Sequence, residues 1–294
     1  MGRRGDGVAG IAAARVQQDV GAASEEAGRP FIKWAGGKRQ LLPYLLKHRP
    51  KTYGSYFEPF LGGGALFFAL RPTKAVLSDV NERLIRTYRG VRDDVDSVIA
   101  RLKKYKPRPT ADDFYRVRSE PADSGTDAQV AAWFIYLNKT AFNGLYRVNR
   151  DNQFNVPFGR YASPNTCDEA TLRACSAALR GVDLRLEDFE SVVSKAKAGD
   201  FVYFDPPYVP LSATSSFTSY TSDGFGTKDQ TRLRDVARKL KQRRVHVLLS
   251  NSSAAAVAEL YADAFGFERI PVPATRSVNS KADARGAIVE LLIK

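Results

Sequence analysis

Short strand-like apolar runs alternate with stretches of helical periodicity along most of the chain. These runs lie at residues 56–60, 75–78, 182–186, 201–205, 245–250, 268–272 and 287–293. Runs of this length that stop at glycine, proline or acidic residues are typical of strands in an α/β sheet. Residues 1–29 show no sustained apolar face and predict a disordered tail.

Helical periodicity dominates the region between the second and third strand-like runs. Apolar residues recur at helical spacing over 81–105 and 128–139, and Thr110 with Asp113 predicts a capped helix through Ser119. The pattern therefore predicts an α/β domain formed by residues 30–80 and 181–294, with a mostly helical insertion at 81–180. Two further capped helices are predicted, from Thr166 with Glu169 to about Arg180, and from Thr227 with Gln230 through Arg243.

The run FVYFDPPY at residues 201–208 carries the most specific chemical signal. Because Pro206 cannot donate to a sheet ladder, the strand ends at Asp205, at the carboxyl edge where open α/β sheets bind ligands. Asp205 and a proline carbonyl can each accept one hydrogen of an NH2 group, and Tyr208 can stack on a flat ring. We therefore expect Asp205, Pro206, Pro207 and Tyr208 to form a site for an aromatic amine, although an isolated DPP is equally compatible with an ordinary turn.

A glycine turn follows the first strand-like run. The segment EPFLGGG at 58–64 leads into a helical stretch, and the next strand ends in Asp79. A strand, a glycine turn, a helix and an acid at the second strand end are typical of nucleotide-binding βαβ units. The segment FIKWAGGK at 31–38 lacks the earlier glycine and the Ser or Thr of a phosphate loop, so that function is not predicted for it.

The net charge of +13 indicates a polyanionic partner, either nucleic acid or an anionic membrane surface. No apolar run approaches the length of a bilayer span, which favours nucleic acid. Residues 140–161 mix aromatic, arginine and amide side chains, as expected of a nucleic-acid surface, although a plain hairpin could share this composition. Cys167 and Cys175 form no metal or disulfide pattern, so we predict ordinary thiols in a reducing cytoplasm and no metal site.

Four motifs, KWAGGK, EPF-GGG, FNGLYR with FNVPFGRY, and DPPY, occur in the order found in the Dam-like (D12 class, alpha-group) DNA adenine-N6 methyltransferases, which the chain resembles from Phe31 onward. The resemblance implies a Rossmann-like S-adenosylmethionine-dependent methyltransferase fold with an inserted target-recognition domain that contains a β-hairpin. It implies double-stranded DNA as partner and S-adenosyl-L-methionine as cofactor. The implied cofactor-binding residues are Trp34, Lys38, Phe60, Gly62, Gly64, Asp79, Asp188, Phe189 and Asp205. The implied DNA-binding residues are Phe142, Asn143, Leu145, Arg147, Pro157, Arg160, Ser212 and Tyr220.

The family resemblance also implies methyl transfer to adenine N6 at GATC, on a base flipped out of the duplex. We expect a monomeric enzyme in the cytoplasm of a prokaryotic cell or its phage, serving repair, regulation or restriction-modification. The alternatives are an RNA adenine methyltransferase and a non-catalytic DNA-binding protein of the same fold. A nicotinamide-dependent dehydrogenase is less compatible, because a full G-x-G-x-x-G pattern is absent.

Overall fold

The computed structural model describes residues 28–34, 36, 38, 40–209, 225–275 and 287–294. The predicted tail therefore lies outside the described residues except for Gly28 and Arg29. Most of the segment that follows the DPPY tetrad, and the basic stretch before the last strand, lie outside them as well.

A seven-stranded sheet in the order β3-β2-β1-β4-β5-β7-β6 forms the centre of the protein. Five neighbouring strands run parallel, and β7 lies antiparallel between β5 and β6. The strands are β1 (Tyr56–Glu58), β2 (Ala75–Asp79), β3 (Asp183–Leu186), β4 (Phe201–Phe204), β5 (His246–Ser252), β6 (Arg269–Thr275) and β7 (Ala287–Ile293). The α/β class predicted from the alternating pattern is confirmed.

Ten α-helices are present in the described residues. They are α1 (Leu42–His48), α2 (Ala65–Leu70), α3 (Glu82–Asp93), α4 (Val95–Lys104), α5 (Ala111–Arg118), α6 (Asp127–Thr140), α7 (Glu169–Leu179), α8 (Val192–Lys195), α9 (Thr227–Gln242) and α10 (Ala255–Leu260). Between β2 and β3 the chain forms only helices, turns and two isolated antiparallel bridges, Ala141 with Phe158 and Val148 with Phe154.

Both faces of the sheet are covered. On β4, Phe201 and Tyr203 belong to a hydrophobic cluster with helices α1 to α7, whereas Val202 and Phe204 belong to a second cluster with α8, α9 and α10. The alternation follows from the two-residue period of a strand. Because the first cluster contains side chains of α3 and α6 as well as of the sheet, helices of the 81–180 region share a core with the strands. The predicted domain division stays a prediction.

The helical periodicity predicted over 81–105 is confirmed. The stretch forms two helices, α3 and α4, because Asp94 leaves the helical conformation (φ −148°, ψ 58°) and its carboxylate caps α4 by accepting from the Ser97 N–H. An Asx cap of this kind competes with the continuation of a helix.

Two predicted caps differ in the residue that forms them. Helix α7 is capped by Asp168 instead of Thr166. Helix α9 begins after Gly226, whose N–H donates to the Asp229 carboxylate, so the predicted pair Thr227 and Gln230 does not form the cap. The capping box of Thr110 with Asp113 is confirmed.

The described part of the chain contains no helix long and apolar enough to cross a membrane.

We predict that Gly90→Ala destabilises the protein. Gly90 lies where α3 meets α6, and an added Cβ would be 2.4 Å from the Asp127 carbonyl oxygen. The resulting strain of roughly 1–3 kcal/mol should exceed the gain of about 1 kcal/mol in helix propensity. Urea unfolding measures the change. The control, Ala100→Gly on the exposed side of α4, should lose about 1 kcal/mol through propensity alone. A more stable Gly90→Ala protein would contradict the packing argument.

Candidate active site

The carboxyl ends of β2, β1, β4 and β5 lie side by side, because these strands are parallel and adjacent. Each strand places a polar side chain at or beside this edge. They are Asp79 on β2, Glu58 on β1, Asp205 directly after β4, and Ser250 on β5. The sheet therefore brings the predicted glycine turn and the predicted amine site to one edge, as expected for ligand sites of parallel α/β sheets.

Asp205 is held by two partners. Its Oδ1 atom lies 2.7 Å from the Lys38 ammonium nitrogen and accepts a hydrogen bond from the Ser250 hydroxyl at 3.1 Å. Only 7% of the Lys38 side chain and 22% of the Asp205 side chain are exposed. Burial raises the pKa of Asp205, while the charge and hydrogen bond of Lys38 and the hydrogen bond of Ser250 act in the opposite direction.

The same lysine also contacts Tyr208. Its ammonium nitrogen lies 4.3 Å from the centre of the Tyr208 ring, and it donates to the Gly36 carbonyl at 2.7 Å. The Tyr208 hydroxyl donates to the Glu290 carboxylate at 2.7 Å, which fixes the ring from the β7 side. An N–H donor thus already lies between the Asp205 carboxylate and an aromatic face.

A buried polar network holds the backbone of the tetrad. Gln230 on α9 donates to the Pro207 carbonyl at 2.9 Å, and Asn251 donates to the Gln230 side chain at 3.1 Å. The Asn251 side chain also accepts from the Val209 N–H at 3.3 Å. Pro206 is buried and Pro207 half-buried. Gln230, Ser250 and Asn251 were not predicted as site residues. The sequence signal for two of them is that the strand-like run 245–250 ends in the polar Ser250 and is followed by Asn251.

The glycine turn has the geometry expected of a ligand-binding loop. Gly62 and Gly64 have positive φ angles of 46° and 64°. A Cβ at Gly62 would lie 2.7 Å from Cδ1 of Trp34, so only glycine fits beneath this indole. The Asp79 carboxylate accepts from the Gly62 N–H at 3.2 Å and from the Asn81 N–H at 3.0 Å. Burial raises the pKa of Asp79 to about 6.

Aromatic rings flank this turn. Phe60 stacks on the buried Phe189 with ring centres 5.2 Å apart. Asp188, half of whose side chain is exposed, pairs with Arg232 at 3.1 Å and accepts from the Glu190 N–H. Val80 directly follows β2, and Leu186 is the last residue of the neighbouring β3. Both apolar side chains are exposed, and neither was predicted from the sequence as a site residue. The open glycines, the acid and the aromatic and apolar side chains together fit a nucleoside-bearing cofactor such as S-adenosylmethionine.

The segment between α6 and α7 presents most of the predicted DNA-binding residues. Phe142, Asn143, Arg147, Pro157 and Arg160 are exposed, and Leu145 is half-buried. Two turns of the segment approach each other where the Phe142 N–H donates to the Pro157 carbonyl at 2.9 Å.

Arg147 is oriented by Asn155, whose side-chain oxygen accepts from the Arg147 Nε at 2.7 Å. Arg160 has a positive φ of 53°, which is uncommon for a residue other than glycine. The remaining predicted DNA-binding residues, Ser212 and Tyr220, lie outside the described residues.

Glu58 is a buried acid next to the amine site. Its side chain accepts from the Tyr56 hydroxyl at 2.8 Å, and only 2% of the residue is exposed. Burial raises the pKa of Glu58 to about 8, and the nearby Asp205 charge acts in the same direction. Glu58 belongs to the EPF motif, which by itself predicts no role for this acid.

Comparison with known proteins identifies a family. The sequence profile described as D12 class N6 adenine-specific DNA methyltransferase matches residues 34–278. The type II methyltransferase M1.LlaDCHI of Lactococcus lactis subsp. cremoris is 45% identical over 271 residues, covering 90% of this chain and 94% of the relative. The type II methyltransferase M.MjaIII of Methanocaldococcus jannaschii is 42% identical over 286 residues, covering 90% and 98%. The DNA adenine methylase of Escherichia coli (strain K12) is 35% identical over 266 residues, covering 90% and 94%.

We predict that Glu58 makes stability depend on pH. The pKa of Glu58 is about 8 in the folded protein against an ordinary value of 4.5, so its contribution is complete below about pH 4.5 and is lost as the pH rises through about 8. Glu58→Gln keeps an acceptor for Tyr56 and should gain stability over the wild type by up to about 1.4 kcal/mol per pH unit between about pH 5 and 8. Urea unfolding at several pH values measures this. A stability difference between Glu58→Gln and the wild type that stays constant across this pH range would contradict the assignment.

Proposed function

Since the chain belongs to the D12 class of N6 adenine-specific DNA methyltransferases, we propose that it transfers a methyl group from S-adenosylmethionine to adenine N6 at GATC in duplex DNA. We further propose that the target base is flipped out of the helix, because N6 cannot be reached within a base pair. The seven-stranded sheet is consistent with a methyltransferase fold. We propose that residues 81–180 act as the target-recognition region and that the enzyme is a monomer.

The contact of Lys38 with Asp205 and Tyr208 carries this proposal. One N–H-bearing nitrogen lies 2.7 Å from a carboxylate oxygen and 4.3 Å from the centre of a tyrosine ring. An adenine stacked on Tyr208 would present its exocyclic amine to the same carboxylate. The two nitrogens would compete for Asp205, so Lys38 must release this carboxylate when the base enters. The carboxylate of the cofactor's amino-acid part is the natural new partner for the lysine.

The chemistry follows from the hydrogen bonds offered to N6. Its lone pair is delocalised into the ring, so acceptance of the two N6 hydrogens by Asp205 and the Pro206 carbonyl favours the pyramidal, nucleophilic amine. S-adenosylmethionine supplies the methyl group as a sulfonium electrophile. N6 would gain the methyl group as the bond between that carbon and the sulfonium sulfur breaks and S-adenosylhomocysteine leaves. N6 would also lose one proton, for which the Asp205 carboxylate is the adjacent base. Gln230 and Asn251 keep the tetrad in place through the Pro207 carbonyl and the Val209 N–H.

We propose that the glycine turn and its neighbours hold the cofactor. Gly62 and Gly64 allow close approach, and Asp79 is placed to accept ribose hydroxyls at the end of β2. Trp34, Lys38, Phe60 and Phe189 supply the surrounding surface and charge, with Asp188 as a partner for the adenine amine of the cofactor. Asp188 is engaged by Arg232, so this last role requires the carboxylate to bind both groups or to exchange partners.

We propose that the exposed segment 142–160 reads the DNA. Arg147 would contact a guanine edge, Leu145 and Pro157 a thymine methyl, and Arg160 a phosphate. Phe142, 48% exposed, would fill the gap left by the flipped base, while Asn143, Ser212 and Tyr220 would complete the DNA surface. The intact Asp205 site favours a catalytic protein over a non-catalytic DNA-binding protein of the same fold.

We predict that the purified protein transfers a labelled methyl group to adenine N6 of GATC duplexes in the presence of a chelator. We also predict that Asp205→Ala lowers the single-turnover rate of this transfer at least about 100-fold, while the variant still binds DNA. The variant lacks the acceptor for the N6 hydrogens. The control is Asp263→Ala, an exposed carboxylate three residues after the end of α10, which should retain the wild-type rate. Label on cytosine or on protein would overturn the activity, and a fully active Asp205→Ala would overturn the role of Asp205.

We predict that Arg147→Ala and Arg160→Ala differ in kind. Arg147→Ala should weaken recognition of GATC by roughly 1–3 kcal/mol of binding free energy, and should weaken recognition of sites altered at the contacted guanine by less. The variant should therefore discriminate less between bases at that guanine position. Arg160→Ala should weaken binding to all DNA sequences about equally, and should reduce the salt dependence of binding by about one phosphate contact. Methylation rates on GATC and single-base variants at two salt concentrations test both. A uniform loss for Arg147→Ala, or a wild-type preference for another site, would contradict the assignment.

A further inference from the structure

A buried asparagine joins the segment next to the glycine turn to the segment that carries the exposed DNA-binding residues. Asn138, near the end of α6, is 2% exposed. Its side-chain oxygen accepts from the Lys33 N–H at 2.8 Å, and its side-chain nitrogen donates to the Lys33 carbonyl at 2.8 Å and to the Gly144 carbonyl at 2.9 Å. One amide group thus pairs with Lys33 as a neighbouring strand would and also holds the turn at Gly144.

The two segments also meet through aromatic rings. Trp34, the residue after Lys33, stacks on Tyr146 with ring centres 6.0 Å apart, and both rings stack on Phe134. Trp34 also covers Gly62, where an added Cβ would lie 2.7 Å from the indole. A group bound at the Gly62 turn would therefore meet a tryptophan that contacts the DNA-reading segment directly.

Gly144 shows how closely the segments are packed. It has a φ of 64°, and an added Cβ would lie 2.6 Å from Cδ and 3.0 Å from Cβ of Lys33. The next residues in the chain are Leu145, Tyr146 and Arg147. The position of Lys33 therefore constrains the position of the exposed Arg147. Because Asn138 is 2% exposed, its side-chain amide has little access to water, and its three hydrogen bonds constrain both segments at once.

We propose that Asn138 is a positioning residue for DNA recognition, through which an occupied cofactor site tightens specific DNA binding. This inference rests on the proposed function. A cofactor bound against Trp34 orders residues 33 and 34, and Asn138 extends that order to Gly144 and the residues that follow it. When two ligands need the same segment ordered, the first to bind lowers the cost for the second, and the effect is reciprocal.

The test compares DNA affinity with and without S-adenosylhomocysteine, which occupies the cofactor site without reacting. In the wild type, saturating S-adenosylhomocysteine should lower the dissociation constant for a GATC duplex at least about fivefold. In Asn138→Ala this ratio should fall below about twofold, because residues 33 and 144 are no longer joined. Asn138→Ser retains one donor and should give an intermediate ratio. It also decides the question if the alanine variant does not fold.

The matched control is Thr140→Ala in the same helical turn. Among the described residues its buried hydroxyl bonds only to the Tyr136 carbonyl of its own helix, at 2.7 Å, so this variant should keep the wild-type ratio. A folded Asn138→Ala or Asn138→Ser with the wild-type ratio would overturn this inference alone, as would a catalytically active wild type with no ratio above one. A wild type that neither binds S-adenosylhomocysteine nor methylates GATC duplexes would overturn the proposed function first, and this inference with it.

Discussion

The ion pair between Lys38 and Asp205 is the interaction on which the arrangement of the site depends. Helices cover both faces of the sheet, so a polar side chain of a strand can reach water or a ligand only at an edge of the sheet. A carboxylate at the buried end of β4 loses most of its water and needs compensation from charge and hydrogen bonds. Lys38 and Ser250 supply this compensation, and Gln230 and Asn251 fix the backbone that carries the acid.

The sequence was sufficient for the strands and for the place where β4 ends, because these depend on local signals. Strand β7 begins and ends at the predicted residues, and the FVYF run ends where Asp205 begins. The supporting residues depend on tertiary partners. Gln230 stands at the N3 position of the predicted capping box, yet its side chain donates to the Pro207 carbonyl, 23 positions earlier. Local patterns cannot separate these outcomes, since both satisfy the same amide group.

The predicted cap of α7 was wrong for a related reason. Several short polar side chains precede α7, and each could accept from the first free N–H groups of the helix. Asp168, rather than Thr166, is the one that does so. The break at Asp94 is similar, since helical periodicity continues on both sides of it while the carboxylate offers the backbone a competing bond. Periodicity thus predicts that residues are helical better than it predicts where one helix gives way to another.

Charge is distributed unevenly for a protein with a net charge of +13. The ligand edge of the sheet carries Glu58, Asp79 and Asp205, and burial raises the pKa of all three acids. Exposed arginines are instead found on the segment between α6 and α7. Glu58, whose pKa is about 8, is mostly neutral near pH 7, so the negative charge of this edge comes from Asp79 and Asp205. These two carboxylates suit a cationic methyl donor and an amine, whereas a basic exterior suits a phosphate backbone. Buried Gly144 and Tyr146 alternate with exposed Asn143 and Arg147, so the same short segment anchors itself on the helices and presents its arginine to solvent.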